Sequence, residues 1–501
     1  MTSGAVVGLD VGTSSARALA FDGDGRLLAS AARSYELDHP GPGRSELDPK
    51  IVSDAACAAL TEVCSQTAVR AVALSTFMHS LMALDEQERP LTQLVTWADA
   101  RSAPQTTRLA QKGDALALYQ RTGVPLHPMS PLTKLLWFAE EQPEVFRNAA
   151  RWVSIKELLL HRLTGEWVVD RSIASASGLL QLARGDWDGG ALAAAGIERR
   201  QLAALVSPVE MLPALASDLV VVPGAADGVL ANLGVGAVSP EALVCSIGTS
   251  GAVRATVPEI RTDPSGRTFC YALDESLWVI GGPVNNGGVV LDWLLEHVFT
   301  DLCEVSALDD IAARATPGCD GLVFLPHLLG ERAPHWEAGA QGGWIGLTIS
   351  HDRASLVRSA FEGVLLQLLT VARTLEPLAR DAREVRATGG FAHSELWSQM
   401  MADIFGLPVT VAPNVEGTAW GAAVLALKAL GEIDSLKDAP TPPGEGRVYE
   451  PRAELREAYE QAAERFEAFS GAIRALTTAE WSQDAVNDHL STTRRRTRLQ
   501  Q

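Results

Sequence analysis

The sequence predicts a duplicated α/β fold: two large domains with a ligand held between them. Three observations carry this prediction. A chain of 501 residues is too long for one compact core and suits two large domains. Short apolar strand runs alternate with helical segments along most of it. One device is also spelled twice, half a chain apart. Asp10-Val11-Gly12-Thr13-Ser14-Ser15 and Ser246-Ile247-Gly248-Thr249-Ser250-Gly251 are each a strand, a Gly-Thr-Ser turn and the start of a second strand. A repeat at that separation argues for two related halves.

The elements follow in order. Apolar or alternating runs at 6–10, 16–22 and 27–35 read as an antiparallel meander, with tight turns at 12–14 and 22–25. A helix is predicted over 49–65 and a strand over 69–75. The stretch 79–97 reads as a hairpin plus a further strand. Residues 102–204 are mainly helical, with loops marked by Gly123, Pro125, Pro128 and Pro131. A second α/β section starts near residue 220. A strand at 219–222 runs through Pro223-Gly224-Ala225-Ala226-Asp227 into a small-residue helix ending near 236. Strands at 242–247 and 252–257 flank the second Gly-Thr-Ser turn. A long buried helix is predicted over 353–375, with Pro377 just beyond it. A strand at 384–387, a helix at 396–405, a strand at 408–412 and helices at 420–430 and 455–475 complete the set. Residues 440–446 read as a surface crossing. The expected division is 1–238, 239–477 and a loose polar tail at 478–501.

Composition excludes several classes. A net charge of −19 argues against a general nucleic-acid binder, which needs clustered Lys and Arg. The one basic run, Arg494-Arg495-Arg496, falls in the polar tail and reads as a frayed end. The six cysteines form no C-x-x-C pair and have no His cluster at zinc-ligand spacing. The start MTSGAVVGLD has no signal-peptide character, and no apolar run reaches the ~18 residues of a membrane span. A reducing cytoplasm and no membrane partner are expected.

The chemistry concentrates around the twin turns. Their backbone N–H groups and short hydroxyls suit phosphate oxygens. No lysine is followed by Ser or Thr, so there is no Walker A loop and phosphates must be held otherwise. Asp10 ends the first strand beside the first turn. It either caps that turn or shares a Mg²⁺ with phosphates, since a bare carboxylate would repel them. Asp227, between strand and helix, either caps the helix or accepts the proton of an attacking hydroxyl. Gly389-Gly390 permits close approach of a flat ligand such as adenine. Met78-His79 lie just past a strand end, where α/β folds commonly open a cleft.

With these residues in place, the chain resembles the FGGY carbohydrate kinases over about residues 5–475. Gly8 to Asp22, GLDVGTSSARALAFD, resembles their first phosphate motif. Met129-Ser130-Pro131-Leu132-Thr133-Lys134-Leu135-Leu136-Trp137 matches their first signature. Gly342 to Glu362 resembles the second, departing at Ser355, and Ala387 to Val409 resembles the adenosine segment. The resemblance implies two actin-like, ribonuclease-H-like domains with an interdomain active-site cleft, ATP and Mg²⁺ as cofactors, and commonly a homodimer. It places nucleotide contacts at Thr13, Ser14, Ser15, Arg17, Thr249, Gly288, Gly390 and Ser394, the last in place of a frequent Asn. It makes Asp227 the catalytic base and Asp10, with Asp227, the metal-associated carboxylates. Met78 and His79 fall where xylulose kinases have a Met-His pair on the sugar and glycerol kinases have Arg-Glu.

The strings at 127–132, 154–157, 97–101 and 227–234 look more like the gluconate branch than the xylulose branch. The expected reaction is therefore phosphorylation of D-gluconate at O6. Xylulose or another pentulose or polyol is the alternative acceptor, and an actin-like non-kinase ATPase is the distant one. Met78, His79, Trp97, Asp99, His127, Lys134 and Lys156 are the expected substrate residues. A sugar acid demands an added cation, for which Lys134, Lys156, His127 and Arg101 are the candidates.

Overall fold

In a computed structural model, residues 4–412, 416–443 and 446–477 are described. The 478–501 tail with its basic run, and part of the 440–446 crossing, lie outside them. The first half is built on a sheet of β1 (Ala5–Val11), β2 (Ser15–Phe21), β3 (Leu27–Ser34), β4 (Val69–Thr76) and β5 (Val220–Ala226). A two-residue strand, Leu212–Pro213, lies at its edge, so the spatial order runs Leu212–Pro213, β5, β4, β1, β2, β3. β1, β2 and β3 form the antiparallel meander. β4 and β5 then add in parallel to β1. Parallel addition needs a crossover; the helix α1 (Pro49–Gln66) supplies the one between β3 and β4. Pro49 opens α1 and Asp48 caps it, its side chain accepting the N–H groups of Lys50 and Ile51.

The second half repeats the plan with β6 (Ala242–Ile247), β7 (Gly251–Val257), β8 (Phe269–Ala272), β9 (Trp278–Val284), β10 (Glu384–Thr388), β11 (Val409–Val411) and β12 (Arg447–Tyr449). Their order is β8-β9-β7-β6-β10-β11-β12. The run β9-β7-β6-β10-β11 matches β3-β2-β1-β4-β5, with antiparallel pairing on one side of the central strand and parallel pairing on the other. The duplication read from the twin turns is therefore real, and the chain has the expected α/β fold of two actin-like, ribonuclease-H-like domains.

Helices cover both sheets. The first half also carries α2 (Pro131–Glu141), α3 (Ile155–Thr164) and α4 (Asp227–Gly234). The second half adds α5 (Arg353–Leu375), α6 (Glu395–Phe405), α7 (Gly417–Ala429) and α8 (Arg456–Thr477). α5 is long and apolar enough to cross a membrane, yet 78% of its most apolar window is buried in the protein. α7 is the exception to a clean division at residue 238: it lies across the first sheet. A Cβ on Gly8 would stand 1.9 Å from the Ala419 carbonyl oxygen, and one on Gly234 would stand 1.7 Å from that of Gly417. Glycine at both positions allows this close crossing, and it ties the two halves together.

The 79–97 stretch folds back on itself as the expected hairpin. Leu81 and Val95 exchange backbone hydrogen bonds, the Leu91 N–H donates to the Ala83 carbonyl, and the Asp85 N–H donates to the Arg89 carbonyl at the turn. Its short strands also pair outward, Met82–Leu84 with Arg151–Val153 and Leu94–Val95 with Glu46–Leu47. One expectation changes. The strand expected at 219–222 continues to Ala226 through a bulge after Val222. Gly224, at φ +69°, makes the bulge feasible; a Cβ there would stand 2.0 Å from the Leu74 carbonyl oxygen.

Candidate active site

The carboxyl ends of β1, β4 and β5 meet at one rim of the first sheet. Asp10 and Ala225 both pair with Ser75, and Asp227 follows two residues later as the first residue of α4. Asp10 is buried and accepts the Ser75 hydroxyl at 2.7 Å and an Arg17 N–H at 2.7 Å. Arg17 also donates to Glu416 at 2.5 Å, just ahead of α7. Asp227 does not cap α4 with its side chain; its Oδ1 accepts the N–H of Gly228 at 2.6 Å. Burial first, and the Asp10 charge second, push its carboxyl up to about 7. The Gly228 N–H, Arg254 and Lys156 pull the other way. A carboxylate poised near neutrality can accept a proton from an alcohol.

Arg254 spans the two halves here. It rises from β7, donates to the Ser246 hydroxyl at 2.9 Å, and would stand 3.3 Å from a Cβ on Gly228. Ser246 is two residues from the second Gly-Thr-Ser turn, so Arg254 links the end of that strand to the start of α4. Met78 adjoins the same position, its Cε 2.9 Å from it. Arg254 was not anticipated from the sequence. A lone charge within the apolar strand GAVRATV was the available signal.

The twin turns share a further feature. In the first, the Gly12 carbonyl accepts the Tyr35 hydroxyl at 2.5 Å and the Ser14 carbonyl accepts the Tyr35 N–H at 3.0 Å. In the second, the Gly248 carbonyl accepts the Gly288 N–H, and the Thr249 carbonyl accepts the N–H groups of Gly287 and Val289. With carbonyls occupied internally, the turns can offer donors outward to an anion. Thr13 and Ser15 are half-buried at the first turn, Ser14 is exposed, and Thr249 is exposed at the second. Gly288 packs on Gly248, and a Cβ on Gly389 would stand 2.3 Å from the Ile247 carbonyl oxygen. Gly390, with open space in front of it, therefore stands beside the second turn. Ser394 caps α6, its hydroxyl accepting the Trp397 N–H at 3.1 Å.

The expected substrate residues divide into two groups. Met78, His79, Trp97 and His127 lie in one neighbourhood, His79 and His127 sharing the charges of Lys134 and Arg332, and Arg332 lying over Trp97. His79 sits at φ +66° and its Nδ1 donates to the Ala176 carbonyl at 2.8 Å, which leaves Nε2 as an acceptor. Burial, reinforced by the Lys134 charge, drives its pKa down to about 3, so it is neutral. Burial, then the charges of Arg332 and Lys134, does the same to His127. The Nδ1 of His127 accepts the Met129 N–H at 3.2 Å, leaving Nε2–H as a donor. Two residues of the second half join this cluster. The Arg332 guanidinium lies 5.2 Å over the Trp97 ring, and Tyr271 meets the His79 ring at 5.9 Å. Neither was anticipated, because both lie far along the chain in segments without a recognisable motif.

Lys134, Lys156 and Asp99 form the second group, which lies beneath the surface. Lys134 is fully buried and donates to the carbonyls of His79, at 2.5 Å, and Thr96, at 2.7 Å. Burial lowers its pKa to about 7. Lys156, also fully buried, donates to the carbonyls of Leu74, Pro223 and Ala225 and pairs with Asp170 at 3.5 Å. Asp99 is locked in a two-pronged pair with Arg101 and accepts the Ser45 N–H. Among the described residues no cluster of three or more metal-ligating side chains occurs. Asp10 and Asp227 bring two carboxylates to the rim, a donor set of the kind Mg²⁺ uses, which needs only one or two carboxylates from a protein.

Residues 5–236 match the N-terminal domain model of the FGGY family of carbohydrate kinases, and residues 243–430 match its C-terminal domain model. A gluconokinase of Bacillus subtilis (strain 168) is 39% identical over 86% of this chain and 88% of its own length. The structure of a ligand-bound xylulose kinase from Lactobacillus acidophilus superposes with a TM-score of 0.91 at 32% identity, covering 94% of this chain and 99% of that one. A gluconate kinase from Lactobacillus acidophilus gives 0.90 at 32%, covering 95% and 98%.

Proposed function

The chain belongs to the FGGY family of carbohydrate kinases, and from that premise we propose that it transfers the γ-phosphoryl group of ATP to O6 of D-gluconate. The products are 6-phospho-D-gluconate and ADP. That the chain is an ATP-dependent sugar kinase follows from the two family domains. The choice of gluconate rests on the 39% identity to a protein named gluconokinase and on the strings at 127–132, 154–157, 97–101 and 227–234. The likeness to the Lactobacillus acidophilus xylulose kinase favours the second reading, a pentulose acceptor.

The observation that carries the mechanism is the position of Asp227. Its carboxyl stands at the sheet rim beside Asp10, held near neutral pKa, with Met78 and His79, the sugar-side residues, adjoining. In the proposed reaction Asp227 takes the O6 proton as O6 bonds to the γ-phosphorus and the bond to the β-phosphate oxygen breaks. Thr13, Ser14, Ser15 and Thr249 present the donors of the twin turns to the phosphates. Gly288 and Gly390 leave room for the nucleotide. Arg17 and Arg254 neutralise charge on either side of the cleft. Asp10 and Asp227 would hold Mg²⁺, which would offset the charge of the phosphates. His79 accepts from, and His127 donates to, the polyol hydroxyls, and Trp97 walls the sugar site.

An ATP-coupled assay across D-gluconate, D-xylulose, D-ribulose, glycerol and erythritol tests the reading. The highest kcat/KM is expected for gluconate. Preference for a pentulose overturns the choice of acceptor, and ATP hydrolysis indifferent to all five overturns the kinase mechanism.

A further inference from the structure

We propose that Arg332, from the second half of the chain, is the specificity-determining residue that receives the substrate carboxylate. The inference rests on the gluconate reading above, since an acidic acceptor requires a cation. Met78, His79, Trp97 and His127 carry none. Arg254 stands instead at the Asp227 end of the site, against Gly228 and the Ser246 hydroxyl.

The alternatives are already committed. Lys134 spends its ammonium on two backbone carbonyls, and Lys156 spends its own on three carbonyls and Asp170. Arg101 is paired with Asp99 and Glu46. His127 is neutral, as shown above, and offers a donor but no charge.

Arg332 differs from each of these. It is 8% exposed, and its Nη2 donates to the Val284 carbonyl at 2.9 Å. Its Nε is buried and has no hydrogen-bond partner among the described residues. Burial lowers its pKa to about 10, partly offset by Glu331, so it stays charged at neutral pH. Glu331 does not neutralise it by direct bonding. Its Oε1 accepts the N–H of Asn285 and the backbone N–H of Arg332, not the guanidinium. The guanidinium carbon lies 5.2 Å over the Trp97 ring, a cation–π contact that consumes no N–H and so leaves donors for a planar, two-pronged partner. A second orphan supports the direction. The Tyr271 hydroxyl, whose ring meets His79, is buried and also lacks a partner. Two unpartnered polar groups in one cluster are costly unless a polar ligand satisfies them. A carboxylate fits the arginine donors, and a polyol hydroxyl fits the tyrosine.

The test compares D-gluconate with D-gluconamide, which has the same chain but a neutral end, in the wild type, Arg332→Lys and Arg332→Gln. In Arg332→Gln, kcat/KM for gluconate is expected to fall about a hundredfold relative to gluconamide, mostly through KM. Arg332→Lys, which keeps the charge but loses the two-pronged edge, should fall about tenfold on the same ratio; it carries the test if the glutamine variant does not fold. Equal losses on both substrates would mark Arg332 as an interdomain clasp on Trp97 and overturn the proposal. So would an unchanged KM for gluconate. A wild type that phosphorylates a pentulose and not gluconate would overturn the acceptor reading itself, a result separable from either.

Discussion

Lys156 grips the backbone from which Asp227 projects. Its ammonium donates to the carbonyls of Pro223 at 2.6 Å and Ala225 at 3.2 Å, on either side of the Gly224 bulge. A third bond to the Leu74 carbonyl fastens the same ammonium to β4. The lysine therefore fixes the segment that delivers Asp227 to the rim, and its charge lowers the Asp227 pKa.

Lys156→Met should show both effects. Removing the ammonium leaves three carbonyls and Asp170 without their partner, at a cost of about 3–5 kcal/mol. The acid limb of the kcat profile should also move to higher pH, because Asp227 loses a cation that favours its ionised form. Thermal melts measure the first effect and pH–rate profiles the second. A lowered melting temperature with an unmoved limb would confine Lys156 to a structural role.

Asp227 itself should trade stability for activity. Its carboxyl holds a proton to about pH 7 in the folded protein but only to about 4 when unfolded. The stabilisation this provides is complete below the unfolded value and lost as pH rises through the folded one. Above pH 7 the buried charge is a net burden. Asp227→Asn is therefore expected to melt higher than the wild type at pH 8, with the gap narrowing towards pH 5. Melting curves at those two pH values check it.

The crossing of α7 over the first sheet should tolerate no side chain at Gly234. A Cβ there would overlap the Gly417 carbonyl oxygen at 1.7 Å, and that carbonyl is backbone at the start of a buried helix. Gly234→Ala should cost about 1–3 kcal/mol or more through overpacking. Gly406→Ala is a useful contrast, because its Cβ would meet nothing within 4 Å and its cost would come from its φ of +64° alone. Denaturant titrations of the two variants separate crowding from backbone strain.

Much of this architecture was legible from local pattern. Apolar runs bounded by Gly-Thr-Ser turns located β1, β2, β6 and β7 to within a residue, because turn chemistry and strand burial act over short distances. Asp10 and Asp227 were legible for the same reason: each stands where a strand ends. What the sequence did not disclose depends on distant partners. Nothing in the uniformly apolar stretch from Trp420 to Leu427 says which sheet it covers, so the crossing of α7 was hidden. Lys134 and Lys156 looked like ligand cations because the carbonyls they satisfy come from residues 38 to 82 positions away. Arg332 was missed because its stacking partner, Trp97, belongs to the other half.

The most direct test of the central claim is the turnover of Asp227→Asn on D-gluconate and ATP. The variant keeps the shape of the side chain and removes the proton acceptor. If Asp227 takes the O6 proton, kcat should fall by about a thousandfold or more while nucleotide binding persists. Turnover within a few-fold of the wild type would contradict the account.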